Sequence, residues 1–483
     1  MERQYKMKLK KLTALFLALI CCLCSCTAPS GNTNSGSAEG SNGGTESKDD
    51  KVVSLPDDTK AAQLAAVVYP ESVSYPARVE YDKTGHLDYD AYEKAMTAWV
   101  DEWTKRREGT ENNLSDLAAY YRASTPVFLK AGLKEQKNAV CSPLNIYMAL
   151  AMLAETTAGE TRQQVLDLLG ADNTDALQTT VANLWRANYE EDEVVTCLLA
   201  NSVWLSADGA YKQQLLDRLA ADYYAESFAG VMGSEEYDKM LQGWLNEKTG
   251  GLLEDAVKGI KMDPQTVLAL ASTLYYKATW EDEFSKNATA EEIFHGVDGD
   301  ETVNMMHRTA WFRYYDGKDF RAAALPLQES GEMWVILPDE GQDAEEILEE
   351  GTVWDLLCGQ MNETDSARLA LSMPVFDVNA KMSLLEGLQE LGVTDVMNDA
   401  ADFSPLCDDQ SIVLSEATHA ARVMADEEGV IGAAFTVMMA KATAALIEDE
   451  PIPFVVDRPF LFCVTARDGS LLFVGIVNTV QAS

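Results

Sequence analysis

The chain has 483 residues, 47% of them hydrophobic, with 38 basic against 78 acidic side chains, a formal net charge of −40. That length suits one large domain with appendages, and the apolar fraction supports a substantial core. The charge argues against nucleic acid as a partner and leaves the fold open.

Lys6, Lys8, Lys10 and Lys11 precede an apolar run, residues 12–23, that is too short for a comfortable membrane span. Residues 1–26 therefore read as an export signal. Leu23-Cys24-Ser25-Cys26 resembles the bacterial lipobox, whose last cysteine is diacylated after cleavage. An ordinary signal peptide with incidental cysteines is the alternative. The Ser-, Gly-, Asn- and Thr-rich stretch that follows favours the lipoprotein, because such a composition makes a flexible tether. Residues 27–60 are assigned to that tether. The expected location is the outer face of a bacterial membrane, anchored by lipid on Cys26.

Residues 61–112 are expected to be an N-terminal helical extension. Tyr92, Met96, Trp99 and Trp103 recur at helical spacing, and Pro70 and Pro76 interrupt the chain before them. The extension either packs on the main domain or binds a partner. Beyond the signal, Cys141, Cys197, Cys358, Cys407 and Cys463 are widely spaced singletons. They make no CxxC or CxxH pattern, so no metal and no cofactor is expected.

From Asn113 onward several stretches stand out. Asn138-Ala139-Val140-Cys141-Ser142-Pro143-Leu144-Asn145 leads into an apolar helix, which Ser142 and Pro143 suit as its start. Residues 268–284 read as a buried strand, ending at Tyr275-Tyr276-Lys277-Ala278-Thr279-Trp280, and Asn201–Leu205 resembles the first strand of a sheet. Trp244–Gly251 resembles a helix end, and its two glycines can stop a helix. Residues 333–340, 369–376 and 471–477 read as further strands.

The last notable stretch is Glu427-Glu428-Gly429-Val430-Ile431-Gly432-Ala433-Ala434-Phe435-Thr436, followed through Lys441-Ala442-Thr443-Ala444 to Asp457-Arg458-Pro459-Phe460. Local propensity leaves helix and strand open. Sorted by parity, positions 430, 432, 434, 436, 438 and 440 carry no charge, so that face of a strand could be buried.

This stretch, with the others in the same order, resembles the serpin family over residues 113–483. The resemblance implies an α+β fold: helices around a large central β-sheet, two smaller sheets and an exposed reactive-centre loop. It implies a suicide-type inhibitor of serine or cysteine proteases, a monomer whose cleaved loop inserts into the central sheet. Glu427 to Ala434 would be the hinge, and Trp280 would lie where the loop enters. The family's hinge-to-bond spacing puts the reactive bond at Thr443–Ala444, with Lys441–Ala442 as the alternative. The small side chains there imply an elastase-like or subtilisin-like target. In the family a Ser, an Asn and a His meet under the sheet's opening point. Here Ser142, Asn145, Ser272 and His419 occupy that region, with the Asn and Ser exchanged. An amide and a hydroxyl can hydrogen-bond either way round.

A non-inhibitory serpin acting as a binding module is the nearer alternative. Bulky or charged hinge residues would favour it, and Gly432-Ala433-Ala434 are small. A hydrolase is the distant one. No catalytic motif of the common kinds occurs, and only His86, His295, His307 and His419 are present. Absence of motif neighbours does not exclude a triad, whose members need not be adjacent.

Overall fold

The computed structural model describes residues 52–55, 60–69, 88–108, 110, 113–134, 136–191, 195–251, 257–361, 364–408, 412–430 and 450–480. The export signal, Cys26, hinge residues 431–434 and the bonds at 441–444 lie outside the described residues.

Ten helices occur among the described residues. They are α1 (Tyr89–Arg107), α2 (Asn113–Leu133), α3 (Pro143–Thr156), α4 (Gly159–Leu169), α5 (Thr174–Asn188), α6 (Gln213–Asp222), α7 (Glu235–Lys248), α8 (Ala344–Ile347), α9 (Gly351–Leu357) and α10 (Leu385–Glu390). Helix α3 begins where its sequence says it should. Ser142 is the N-cap, its Oγ accepting from Asn145 N at 3.3 Å, and Pro143 fills the first turn. Helix α7 stops at Gly250 and Gly251, whose φ values of +58° and +81° other residues rarely adopt.

A two-stranded pair joins β1 (Val52–Val53) to β6 (Tyr211–Lys212). The central sheet contains β2 (Ala61–Ala65), β4 (Glu190–Glu191), β5 (Val195–Ser206), β7 (Ala225–Gly230), β8 (Leu268–Thr279), β14 (Phe376–Ser383), β15 (Thr418–Ala425) and β16 (Gly429–Val430). Its order is β14-β15-β16-β8-β5-β7-β2, with β4 on β5. The second sheet contains β3 (Ala139–Cys141), β9 (Ala290–Gly296), β10 (Gly299–Asp316), β11 (Phe320–Pro326), β12 (Glu332–Pro338), β13 (Asp365–Pro374), β17 (Ile452–Val455), β18 (Phe460–Thr465) and β19 (Leu471–Val477). It runs β17-β13-β10-β11-β12-β18-β19-β3, with β9 on β10. The two smaller sheets implied by the resemblance thus share β10, which runs on for 18 residues and fuses them.

One large core lies between the sheets and helices. It includes Trp185, Trp280, Trp354 and the apolar strands β18 and β19. All five cysteines beyond the signal are buried and free.

The extension is not wholly helical. Residues 61–65 form β2, antiparallel to β7, with a register shift between Gln63 and Ala65. Alanine favours helix, but the open edge of β7 supplies ladder partners that outweigh that preference. After β2, Tyr69 stacks on Tyr189 and Trp185, with ring centroids 5.6 and 6.0 Å away. Helix α1 packs against α5, and Arg106 donates to the Tyr189 carbonyl at 2.9 Å. The extension therefore lies on the main domain.

Candidate functional site

The site is a seam in the central sheet. Strands β8 and β15 are not paired with each other among the described residues; β16 joins them at one end. Val430 pairs with Ala425 on one side and Ala278 on the other, and Gly429 pairs with Thr279. Strand β16 is antiparallel to both neighbours, so β8 and β15 run parallel.

Three features hold β16 there. Gly429 lacks a side chain because there is no room: a Cβ would sit 2.3 Å from the Ala278 carbonyl oxygen. Trp280 donates its backbone N–H to the Glu428 carbonyl at 3.0 Å and its indole Nε1–H to the Asp426 carbonyl at 2.8 Å. Asp426 turns the chain into β16, its Oδ1 accepting from Glu428 N and Gly429 N at 2.9 and 3.2 Å. The two glutamates are held outside the sheet. Thr289 Oγ1 donates to Glu427 at 2.7 Å, and Lys286 pairs with Glu428, whose carboxylate raises the lysine's pKa. Asp426, Lys286 and Thr289 escaped the sequence reading. The aspartate has a local signal, a turn-forming side chain just before Glu-Glu-Gly; Lys286 and Thr289 are too far along the chain to have one.

Val430 is fully buried, as are its neighbours Ala278 and Ala425. Cross-strand partners share a face, so the face carrying Val430 looks into the core. By alternation Ser272 on β8 and His419 on β15 share that face.

Further along the seam the strands border a cavity of about 180 Å³. Ser272, His419, Ser142 and Asn145 all line it. Asn145 Nδ2 donates to the Ser272 carbonyl at 3.0 Å, while Ser272 Oγ donates to Asn145 Oδ1. The exchanged amide and hydroxyl thus bind each other. His419 Nε2 accepts from Ser142 N at 3.0 Å. It therefore carries its proton on Nδ1. Burial pushes its pKa down to about 4, so it is neutral at physiological pH. The structure brings Asn145 and Ser272 into direct contact and ties His419 to the same helix start through Ser142.

The other two histidines singled out among the strands lie elsewhere. His295, on β9, faces Asp300 at 2.7 Å, and His307, on β10, lies between Glu292 and Ser372. No cluster of His, Cys, Asp or Glu able to hold a metal ion occurs among the described residues.

Comparisons with known proteins agree with this architecture. The family model described as Serpin (serine protease inhibitor) matches residues 127–480. An uncharacterized serpin-like protein of Thermococcus kodakarensis is 28% identical over 348 residues, covering 70% of this chain and 80% of that protein. The plasma serine protease inhibitor of Bos taurus is 27% identical over 354 residues, covering 71% of this chain and 85% of that protein. The crystal structure of the thermophilic serpin tengpin in its native state superposes with a TM-score of 0.69 at 22% identity, covering 87% of this chain and 100% of the other.

Proposed function

The chain belongs to the serpin family, a family of protease inhibitors rather than enzymes, and from that premise we propose that it traps its target by loop insertion. In this reading a serine protease of elastase-like or subtilisin-like type attacks the segment after β16. The cleaved segment then continues β16 down the seam and carries the acylated protease with it.

One observation carries the reading. The first two strand residues of the hinge are already stitched between β8 and β15, which have no pairing with each other among the described residues. Extending the observed register supports it further. Since 430 pairs with 278, residue 440 would meet Leu268, where β8 begins. Residues 430–440 would thus make a strand of about 36 Å. On the β15 side, 430 with 425 leads to Thr436 opposite His419, and on the β8 side to Thr436 opposite Ser272. The uncharged even-numbered face would be the buried one, as Val430 is now.

The bond favoured by the family spacing is Thr443–Ala444, with Lys441–Ala442 the competitor. We also propose that residues 1–26 are removed as a lipoprotein signal and that lipid on Cys26 holds the domain at the outer face of a bacterial membrane.

Incubation with pancreatic elastase or subtilisin tests the reading. The expected products are an SDS-stable complex of summed mass and a released C-terminal peptide beginning at Ala444. A peptide beginning at Ala442 moves the bond to Lys441 and the target to trypsin-like enzymes. Clean cleavage with no complex favours the non-inhibitory binding module.

A further inference from the structure

The two ends of the seam differ in what else meets them. Val430 enters opposite Ala278, next to the last residue of β8. Leu268, the first residue of β8, lies ten positions away, about 34 Å along the strand. The first described strands of the chain are fastened at that far end. Leu268 pairs with Leu205 on β5, and Ser206 N donates to the Val267 carbonyl at 3.0 Å. Tyr211, on β6, donates its hydroxyl to the Ser206 carbonyl at 2.9 Å, and Val53 on β1 pairs with Tyr211. Ser206 also pairs with Gly230 on β7, and Gly230 with Ala61 on β2. Val231 N donates to the Lys60 carbonyl at 3.1 Å. Val53 and Lys60 are thus both held by backbone bonds at the Leu268 end. The N-terminal segment joins the body at the pole opposite β16.

This pole is also where insertion would finish. In the observed register residue 440 meets Leu268, so Thr443 would lie about 10 Å past the end of β8. A protease held by an ester between its serine Oγ and the Thr443 carbonyl would come to rest beside β1. A single-domain protease of about 250 residues is roughly 45 Å across. Cys26 and Val52 are 26 positions apart, at most about 90 Å of chain. That reach is about twice the breadth of the protease.

We propose that the β1 pole faces the lipid bilayer, that trapping carries the protease into the space between this pole and the lipid, and that the chain from Cys26 to Val52 is the spacer that leaves room for it. This rests on the trapping and lipid-anchor readings. Before cleavage the same geometry directs the segment after Val430 away from the lipid, where a protease can reach it. A chain of charge −40 is repelled by an anionic leaflet, which favours a body standing off from the lipid over one lying against it.

The test uses the lipidated full-length protein in phosphatidylethanolamine–phosphatidylglycerol vesicles, the same protein with residues 29–48 deleted, and the unlipidated Cys26→Ala counterpart of each. The deletion leaves about 20 Å between Cys26 and Val52, less than half the breadth of the protease. A further lipidated protein restores the deleted length with Gly and Ser. SDS-stable complex per bond cleaved is measured with pancreatic elastase and subtilisin. The lipidated deletion is expected to give about tenfold less complex per cleaved bond, as about 1.4 kcal/mol added to the insertion barrier would. Its Cys26→Ala form and the length-restored protein trap as wild type does. Full trapping by the lipidated deletion overturns the spacer. So does a loss that persists in its Cys26→Ala form, where no membrane obstructs, and so does a loss that restored length fails to repair. Wild type that does not partition with the vesicles overturns the lipid anchor, and the spacer with it. No complex from wild type in either form overturns trapping itself.

Discussion

Replacing Val430 by Arg is the sharpest perturbation of the seam. Val430 is fully buried between Ala278 and Ala425 before any cleavage, so the substitution acts on the uncleaved chain as well as on insertion. The arginine has two routes. Left in the sheet, an unpaired guanidinium costs several kcal/mol. Expelled with Gly429, it forfeits the valine's burial, about 1.5–3 kcal/mol. It also gives up the ladder bonds of β16 and the Trp280 bond to Glu428, roughly 0.5–1.5 kcal/mol each. With a few such bonds the loss is about 5 kcal/mol. If about 3 kcal/mol of either cost enters the insertion barrier, insertion slows by about two orders of magnitude. Deacylation then wins, and the inhibitor becomes a substrate. The assay is titration of elastase by Val430→Arg, with SDS gels for the complex. Cleavage at the wild-type bond should persist while the complex disappears. Val430→Ala, which keeps the face apolar, should still trap. A stable complex from Val430→Arg at wild-type stoichiometry would refute the insertion argument.

Three further outcomes are expected. Asn145→Ala strands the Ser272 hydroxyl and carbonyl and should cost about 1–3 kcal/mol of stability; the double variant Asn145→Ser with Ser272→Asn should recover part of it, a coupling read by a double-mutant cycle in denaturant. His419 has a folded pKa of about 4, below its ordinary value of 6.5, because burial disfavours the charged ring. The unfolded chain therefore binds the extra proton first, and stability is lost as pH falls from 6.5 toward 4. The total is about 3 kcal/mol, and His419→Gln should flatten that part of the pH–stability curve. Finally, Cys26→Ala should release the expressed protein from the membrane fraction; quantitative retention there would count against the lipid anchor.

Much of this was legible because periodicity reports burial. Helix α3 and strands β8 and β12 carry apolar runs with caps or turns at their ends, and each appears close to where those signals put it. The hinge was legible by parity, since a strand face without charge can enter a core. What sequence could not convey was pairing. Nothing in Ala61–Ala65 announces a strand, because its partner, β7, lies far along the chain. Likewise the ion pair of Lys286 with Glu428 joins residues more than a hundred positions apart. That Val430 is seated in the sheet from the outset is also a matter of pairing, as its sequence is equally that of an exposed loop.

Strand β2 has a consequence for how copies of this protein behave when crowded. A long open sheet edge is a template on which a neighbouring chain can add strands and start an aggregate. β7 would present such an edge, and β2 occupies it. The new boundary is five residues long against the six of β7, and what sets it apart is the irregularity between Gln63 and Ala65 that breaks it. A broken border offers an incoming strand fewer aligned N–H and C=O groups to hold it. Trimming the chain to its second long helix would expose β7 again, so a shortened version should be the more aggregation-prone protein even where its core is untouched.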